Sequence, residues 1–217
     1  ESVFFTNFQD QRVYKQKADG SSKPISLTPA KNKDGSLGKY AHFQIAPDNK
    51  FLLFVYEKEF TNKENENYVA MLDLSKGEQE PTILVKGNDF YADPEISPDG
   101  TKLAWLMWNH PHMPWDSSEL WIADFDRGKI KNQKKVAGSY PYAICLPKFD
   151  QNNALYFVMD KSGEEENSPN NWWNFYRYQN NKVEPVTQEL AEFGTPHWVF
   201  GSSEYVFLPD NTLLAVS

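Results

Sequence analysis

The chain has 217 residues and a net charge of −8, with 22 Lys and Arg against 30 Asp and Glu. No run of Lys or Arg forms a stripe that could neutralise phosphates, so the composition argues against a nucleic-acid partner. No apolar run approaches the roughly 20 residues that a membrane-spanning helix needs, so no membrane partner is expected. The single cysteine, Cys145, excludes an internal disulfide and fits the cytoplasm, which is the predicted location.

Composition favours all-β structure. Aromatic residues make up 15% of the chain, and 14 Pro and 11 Gly provide many turns. Aromatic side chains suit pleated, half-buried surfaces, and Pro and Gly suit tight turns. The first predicted strands cover residues 3–6, 12–18 and 24–28, and they form a partial unit around the Asp19-Gly20 turn.

A repeat follows this partial unit. Four segments line up on Ile45, Ile96, Phe149 and Trp198, at spacings of 51, 53 and 49 residues. Each of the first three has a short strand, a tight turn and an apolar strand; the turns are Pro47-Asp48-Asn49, Pro98-Asp99-Gly100 and Gln151-Asn152-Asn153. A period near 50 residues with about four strands per unit is typical of a propeller blade. The sequence therefore predicts an all-β fold: a β-propeller fragment of about four blades of four antiparallel strands.

The predicted blades form a single partial propeller domain. They cover residues 1–39 (partial), 40–91, 92–144, 145–194 and 195–217 (partial). Because the chain begins and ends within a blade, we expect it to be an internal portion of a longer chain, with the true N-terminus upstream. Strand edges left open at both ends should favour self-association.

Loop length distinguishes the two predicted faces of the propeller. The turns on one face are tight. The connections on the other face are long, and they cover residues 57–67, 86–93, 109–118, 138–146, 161–171 and 188–195. Long ordered loops gathered on one face of a rigid scaffold usually carry binding, so we expect the functional surface there.

The most distinctive of these loops runs from Trp108 to Asp116 and contains His110-Pro111-His112. A metal site is not expected, because Pro holds the backbone extended between the imidazoles and no second His-rich segment supplies further ligands. No nucleophile, phosphate-binding or zinc-protease motif occurs, so no catalytic residue, metal or cofactor is predicted. The residues predicted to meet a substrate or a neighbouring domain are Trp108, His110, His112, Trp115, Asp116, Glu164, Trp172 and Trp173.

Several stretches resemble the propeller of the prolyl oligopeptidase family of serine peptidases, in its acylaminoacyl-peptidase and dipeptidyl-peptidase-like branch. The most specific are the loop from His110 to Asp116 and the segment Glu192-Phe193-Gly194-Thr195-Pro196-His197-Trp198-Val199-Phe200-Gly201. The resemblance implies a seven-bladed propeller that filters short peptide substrates for a C-terminal α/β-hydrolase domain. The catalytic Ser, Asp and His of that domain would lie beyond Ser217. The chain departs from the family in a longer insert over residues 164–171.

Two alternatives stay open at the level of sequence. The run Glu164-Glu165-Glu166 is either a solvated loop or an acidic patch that recognises the amino terminus of a substrate. The whole chain is either the propeller of a peptidase or a stand-alone binding propeller, similar to TolB or to sugar-active propellers. A Gly-x-Ser-x-Gly motif downstream would favour the peptidase, and a leader peptide upstream with no hydrolase domain would favour the binding propeller.

Overall fold

The structure is a computed structural model that describes residues 1–161 and 168–217. Seventeen strands and one 3-10 turn, Pro169–Asn171, make up the regular structure of those residues, which confirms the predicted all-β class. The chain divides into two compact units, Glu1–Asn88 and Asp89–Ser217. Within the described residues, no helix has the length and apolar character needed to cross a membrane.

The first unit contains two antiparallel sheets. Its three-stranded sheet comprises β1 (Ser2–Thr6), β2 (Val13–Lys17) and β3 (Ile25–Ser26). Its four-stranded sheet comprises β4 (Leu37–Ile45), β5 (Phe51–Glu59), β6 (Glu66–Asp73) and β7 (Thr82–Val85). The core includes a stack of Tyr40 on Tyr56, with ring centroids 5.2 Å apart. Burial raises the pKa of Tyr40 to about 12.

The second unit contains two four-stranded sheets and one hairpin, all antiparallel. The first sheet comprises β8 (Phe90–Ile96), β9 (Lys102–Trp108), β10 (Glu119–Asp126) and β11 (Lys129–Gly138). The second comprises β12 (Ala143–Phe149), β13 (Leu155–Asp160), β14 (Asn174–Gln179) and β15 (Lys182–Pro185). The hairpin pairs β16 (Tyr205–Phe207) with β17 (Leu213–Ala215). Consecutive strands are neighbours throughout, as expected for blades built as simple meanders.

The same turn follows the first strand of each four-stranded sheet. After β4, the N–H of Ala46 donates to Phe51 O and the N–H of Asn49 donates to Ala46 O. The same pair of bonds recurs around Ser97, around Asp150 and, in the hairpin, around Leu208. The residue equivalent to Ile45, Ile96 and Phe149 is therefore Phe207. The alignment on Trp198 is wrong, and the last interval is 58 residues rather than 49.

The strands that begin each four-stranded sheet are longer than the sequence predicts, because each contains a β-bulge. Asp93 and Pro94 lie together opposite Trp105, between the pairs Ala92–Leu106 and Glu95–Ala104. Proline has no N–H for the strand ladder and is tolerated at a bulge, where the ladder is already interrupted. The sequence predicts residues 86–93 and 138–146 as connectors, yet β8 begins at Phe90 and β12 begins at Ala143.

Two later strand boundaries also differ from prediction. β11 begins at Lys129, immediately after the Arg127-Gly128 turn, and not at Lys134. Six of its residues have charged or amide side chains that stay exposed, so this outer strand lacks the apolar signal by which it would be recognised. β14 begins at Asn174, so Trp172 and Trp173 precede the strand.

We predict that Gly138→Ala strongly destabilises the second unit. Gly138 has φ +96°, and an added Cβ would lie 2.1 Å from the backbone oxygen of Ser118. Left-handed backbone strain and this clash together should cost about 3 kcal/mol or more. Urea unfolding followed by tryptophan fluorescence will measure the loss, because all seven tryptophans lie in the second unit.

Gly201→Ala is the matched control. Gly201 also has positive φ, at +82°, but its added Cβ would meet nothing within 4 Å. It should therefore cost only the backbone strain, about 1 kcal/mol. Equal losses in the two variants would contradict the close approach of Gly138 to Ser118.

We also predict that Cys145 is unreactive in the folded protein. Its side chain packs with Val158, Trp173 and Tyr205. Burial raises the pKa of the thiol well above its ordinary value, and the charges of Asp93 and Glu204 raise it further. Because only the thiolate is nucleophilic, a disulfide reagent at pH 8 should label no thiol in native protein and one thiol per chain after denaturation. Fast labelling of native protein would contradict this packing.

Candidate functional site

The loop between β9 and β10 is held at its first residues by Asp89. The N–H of Asp89 donates to Asn109 Oδ1 at 2.8 Å, and the N–H of His110 donates to Asp89 Oδ2 at 2.9 Å. The ring of Phe90 stacks on Trp108 at 5.4 Å and meets the edge of His110 at 5.0 Å. These reciprocal contacts fix the backbone where the loop leaves β9.

The other end of the loop is fixed by Ser118, which is buried. Its Oγ accepts the N–H of Ile144 at 2.7 Å and donates to Ile144 O at 3.1 Å, which links the loop to β12. Within the loop, Asp116 Oδ2 accepts the N–H of Met113 at 3.2 Å. The loop therefore presents its side chains from a backbone that is hydrogen-bonded at both ends and in the middle.

The segment from Thr195 to Glu204 forms the other side of the site. It contains no strand, so the strand predicted around Trp198 is wrong. Its anchor is His197, whose Nε2 lies 3.3 Å from Asp93 Oδ1, with each side chain only 5% exposed. Asp93 has φ +46°, a backbone conformation that is available to Asp at the bulge of β8. The bulge thus directs a carboxylate to a histidine more than a hundred residues away in sequence.

These two segments enclose an aromatic cleft of about 340 Å³. Trp115 and Trp198 form part of its wall and pack directly against each other, with ring centroids 4.3 Å apart. Trp198 and Val199 are 73% and 66% exposed, which is unusual for large apolar side chains. The residues that line the cleft are Phe90, Trp108, Met113, Pro114, Trp115, His197, Trp198, Val199 and Phe200.

Only part of the predicted set meets at this cleft. Trp108 and Trp115 line it, and His110 and Asp116 lie beside it in the same loop. His112 stacks on Tyr140 instead, at 5.3 Å. The two imidazoles therefore contact different rings, and no three His, Cys, Asp or Glu side chains in the described part of the chain are grouped as metal ligands.

The remaining predicted residues lie elsewhere. Trp173 is 8% exposed and packs against Cys145 and Phe175, so it belongs to the core. Trp172 is half-buried and ends the 3-10 turn before β14. Glu164 lies outside the described residues.

Sequence reasoning missed the contribution of Phe90, Met113, His197 and residues 198–200 to the cleft. The segment 192–201 carries the resemblance to the peptidase family, but the composition of its Trp-Val-Phe run predicts a strand. A usable signal was present, since an exposed loop rarely contains so many large apolar residues without a partner to cover them.

A second groove, of about 410 Å³, belongs to the turns at the opposite ends of β9–β15 and has both polar and apolar lining residues. Five of its fourteen lining residues are asparagines, and four of them, Asn132, Asn153, Asn180 and Asn181, have φ between 51° and 63°. Asparagine is favoured at left-handed turn positions, so turn geometry accounts for their presence there. The aromatic cleft is therefore the stronger candidate.

The chain is similar to several proteins of known structure. No known family pattern matches the chain, and no curated protein sequence matches it. A solved puromycin-hydrolysing peptidase of Mycobacterium tuberculosis is 29% identical over 98% of this chain, with a TM-score of 0.85. A puromycin hydrolase is 25% identical over 98%, with a TM-score of 0.83. TolB from Acinetobacter baumannii is 16% identical over 86% of this chain and 41% of its own, with a TM-score of 0.54.

The chain spans about a third of the length of the two peptidases, 33% in each case. These similarities confirm the β-propeller fold and the resemblance to the propeller portion of prolyl oligopeptidase-family peptidases. TolB shares the fold alone.

We predict that Asp93→Asn loosens the segment from Thr195 to Glu204. Asn keeps the shape of the side chain and tolerates positive φ, but it removes the charge that faces His197. Weakening a buried charged contact should cost about 1–3 kcal/mol. Limited proteolysis should then cut within residues 195–204 at least several times faster.

Asp126→Asn serves as the control, because that carboxylate is 74% exposed and lies at the end of β10. Its digestion pattern should match the unsubstituted chain. If Asp93→Asn also leaves the pattern unchanged, His197 is not the anchor of this segment.

Proposed function

We propose that this chain is the substrate-gating propeller of a serine peptidase of the prolyl oligopeptidase family. In the complete protein it would cover a C-terminal α/β-hydrolase domain and admit short peptides. The observation that carries the proposal is the match to two peptidases at 25–29% identity along 98% of the chain. The TolB structures reach only 14–16% identity and TM-scores of 0.54–0.57, so a stand-alone binding propeller is the weaker alternative.

The aromatic cleft supports a role in gating. Its exposed rings lie on two segments held by buried anchors, Ser118 to Ile144 and His197 to Asp93. A large apolar patch on a rigid frame is a typical contact site for a substrate or a neighbouring domain. We propose that the cleft faces the hydrolase domain, where it can touch a peptide on its way to the catalytic serine.

The finer assignments are proposals as well. We propose hydrolysis of acylaminoacyl or dipeptidyl substrates from the resemblance of the sequence motifs, and a cytoplasmic location from the single cysteine. Because the two similar peptidases are named for hydrolysing puromycin, puromycin is the first compound to test.

The test uses the complete protein that contains this chain, purified beside the 217-residue chain. We expect the complete protein to release product from puromycin and to react with a fluorophosphonate serine probe. The 217-residue chain should do neither, since no nucleophile motif occurs in it. A complete protein that the probe does not label would overturn the proposal, as would turnover by the 217-residue chain alone.

A further inference from the structure

We propose that the aromatic cleft binds an organic cation, the ammonium or guanidinium group of a peptide. The identification of the occupant as a peptide rests on the proposed function, because the propeller of a peptidase encounters peptides. The chemistry of the cation is argued from the cleft itself. Neither the comparisons nor the sequence motifs assign this site.

The first argument is the composition of the wall. Five of the nine lining residues are Phe or Trp: Phe90, Trp108, Trp115, Trp198 and Phe200. The faces of aromatic rings carry partial negative charge and attract cations, and tryptophan attracts them most strongly. Several indoles around one small cavity are therefore suited to an alkylated or delocalised cation, which is weakly hydrated.

The second argument is charge complementarity. None of the lining residues is Lys or Arg. Asp89 and Asp116 are exposed, directly adjoin the lining residues Phe90 and Trp115, and accept N–H groups of the cleft loop. Their negative charge is thus fixed beside the aromatic wall. The chain as a whole carries −8, which favours a cationic occupant over an anionic one.

The third argument is size and access. A volume of about 340 Å³ suits one long side chain or a peptide terminus, at the small end of ligand sites. Trp198, at 73% exposure, leaves much of its surface open to an incoming group. The Asp93–His197 contact keeps the segment in place, and the His197 side chain, which is 5% exposed, forms part of the cleft lining.

The test compares two probes of the same shape and different charge. One is the acetylated amide of trimethyl-lysine, and the other is its neutral isostere with a tert-butyl group in place of trimethylammonium. NMR titration of the indole N–H signals measures both dissociation constants on the 217-residue chain. We expect the cation to bind at least tenfold more tightly than the isostere, and Trp198→Ala to remove most of that preference.

Two further variants keep the result interpretable. Phe8→Ala removes an aromatic ring that is 91% exposed and lies in the first unit, and it should leave both constants unchanged. Trp198→Phe should retain part of the preference for the cation. Since the Trp198 side chain is largely exposed, the Ala variant is expected to fold, and its circular dichroism spectrum will verify this.

Each remaining outcome counts against the proposal. Equal binding of the two probes would identify a neutral apolar site. No binding of either probe would indicate a surface that only another protein domain covers. Because these titrations involve no hydrolysis, they are independent of the peptidase assay: binding by the cleft together with an inactive complete protein would defeat the proposed function alone.

Discussion

The β-bulge in the first strand of each four-stranded sheet is the constraint on which the rest of the structure depends. In β4, β8 and β12, two residues lie opposite a single residue of the next strand. That single residue is always a buried aromatic: Phe54, Trp105 or Phe157. The bulge places an extra residue where a large ring must be covered, and its first member takes positive φ at His42, Asp93 and Leu146.

The candidate site follows from one of these bulges. Positive φ at Asp93 turns its carboxylate out of the strand alternation and toward His197. His197 in turn holds a segment that has no strand of its own, and this segment supplies Trp198 to the cleft. A regular strand at this point would alternate its side chains up and down and would leave the segment without an anchor. The position of the exposed aromatic wall therefore depends on the backbone irregularity at Asp93 in β8.

Much of this architecture is predictable from sequence, and the failures share a physical cause. The period near 50 residues is visible because tight turns need Pro, Asp, Asn or Gly at fixed positions. These residues can be recognised from the local sequence alone. The position of Trp198 is not visible, because its role depends on a contact between His197 and a residue 104 positions earlier. A run such as Trp-Val-Phe has the composition of a strand, and only the missing ladder partner distinguishes it from one. The burial of Trp173 is not visible for the same reason, because it depends on packing with Cys145, which lies in β12.

The bulge also explains how one repeat can carry different chemistry in different blades. The residue three positions before the aligned residues Ile45, Ile96, Phe149 and Phe207 is His42, Asp93, Leu146 and Glu204, respectively. Leu146 shows that the fold requires a backbone conformation here and no particular functional group, even though positive φ suits Leu poorly. Glu204 Oε1 accepts from Thr195 Oγ1 at 3.3 Å, so the carboxylate at this position joins the two ends of the segment that forms the cleft. Because packing sets the backbone and leaves the side chain unconstrained, this position can gain or lose a charged group without disturbing the blade. The second unit has two acidic residues at this position: Asp93 contacts the segment that carries Trp198, and Glu204 joins the two ends of that segment.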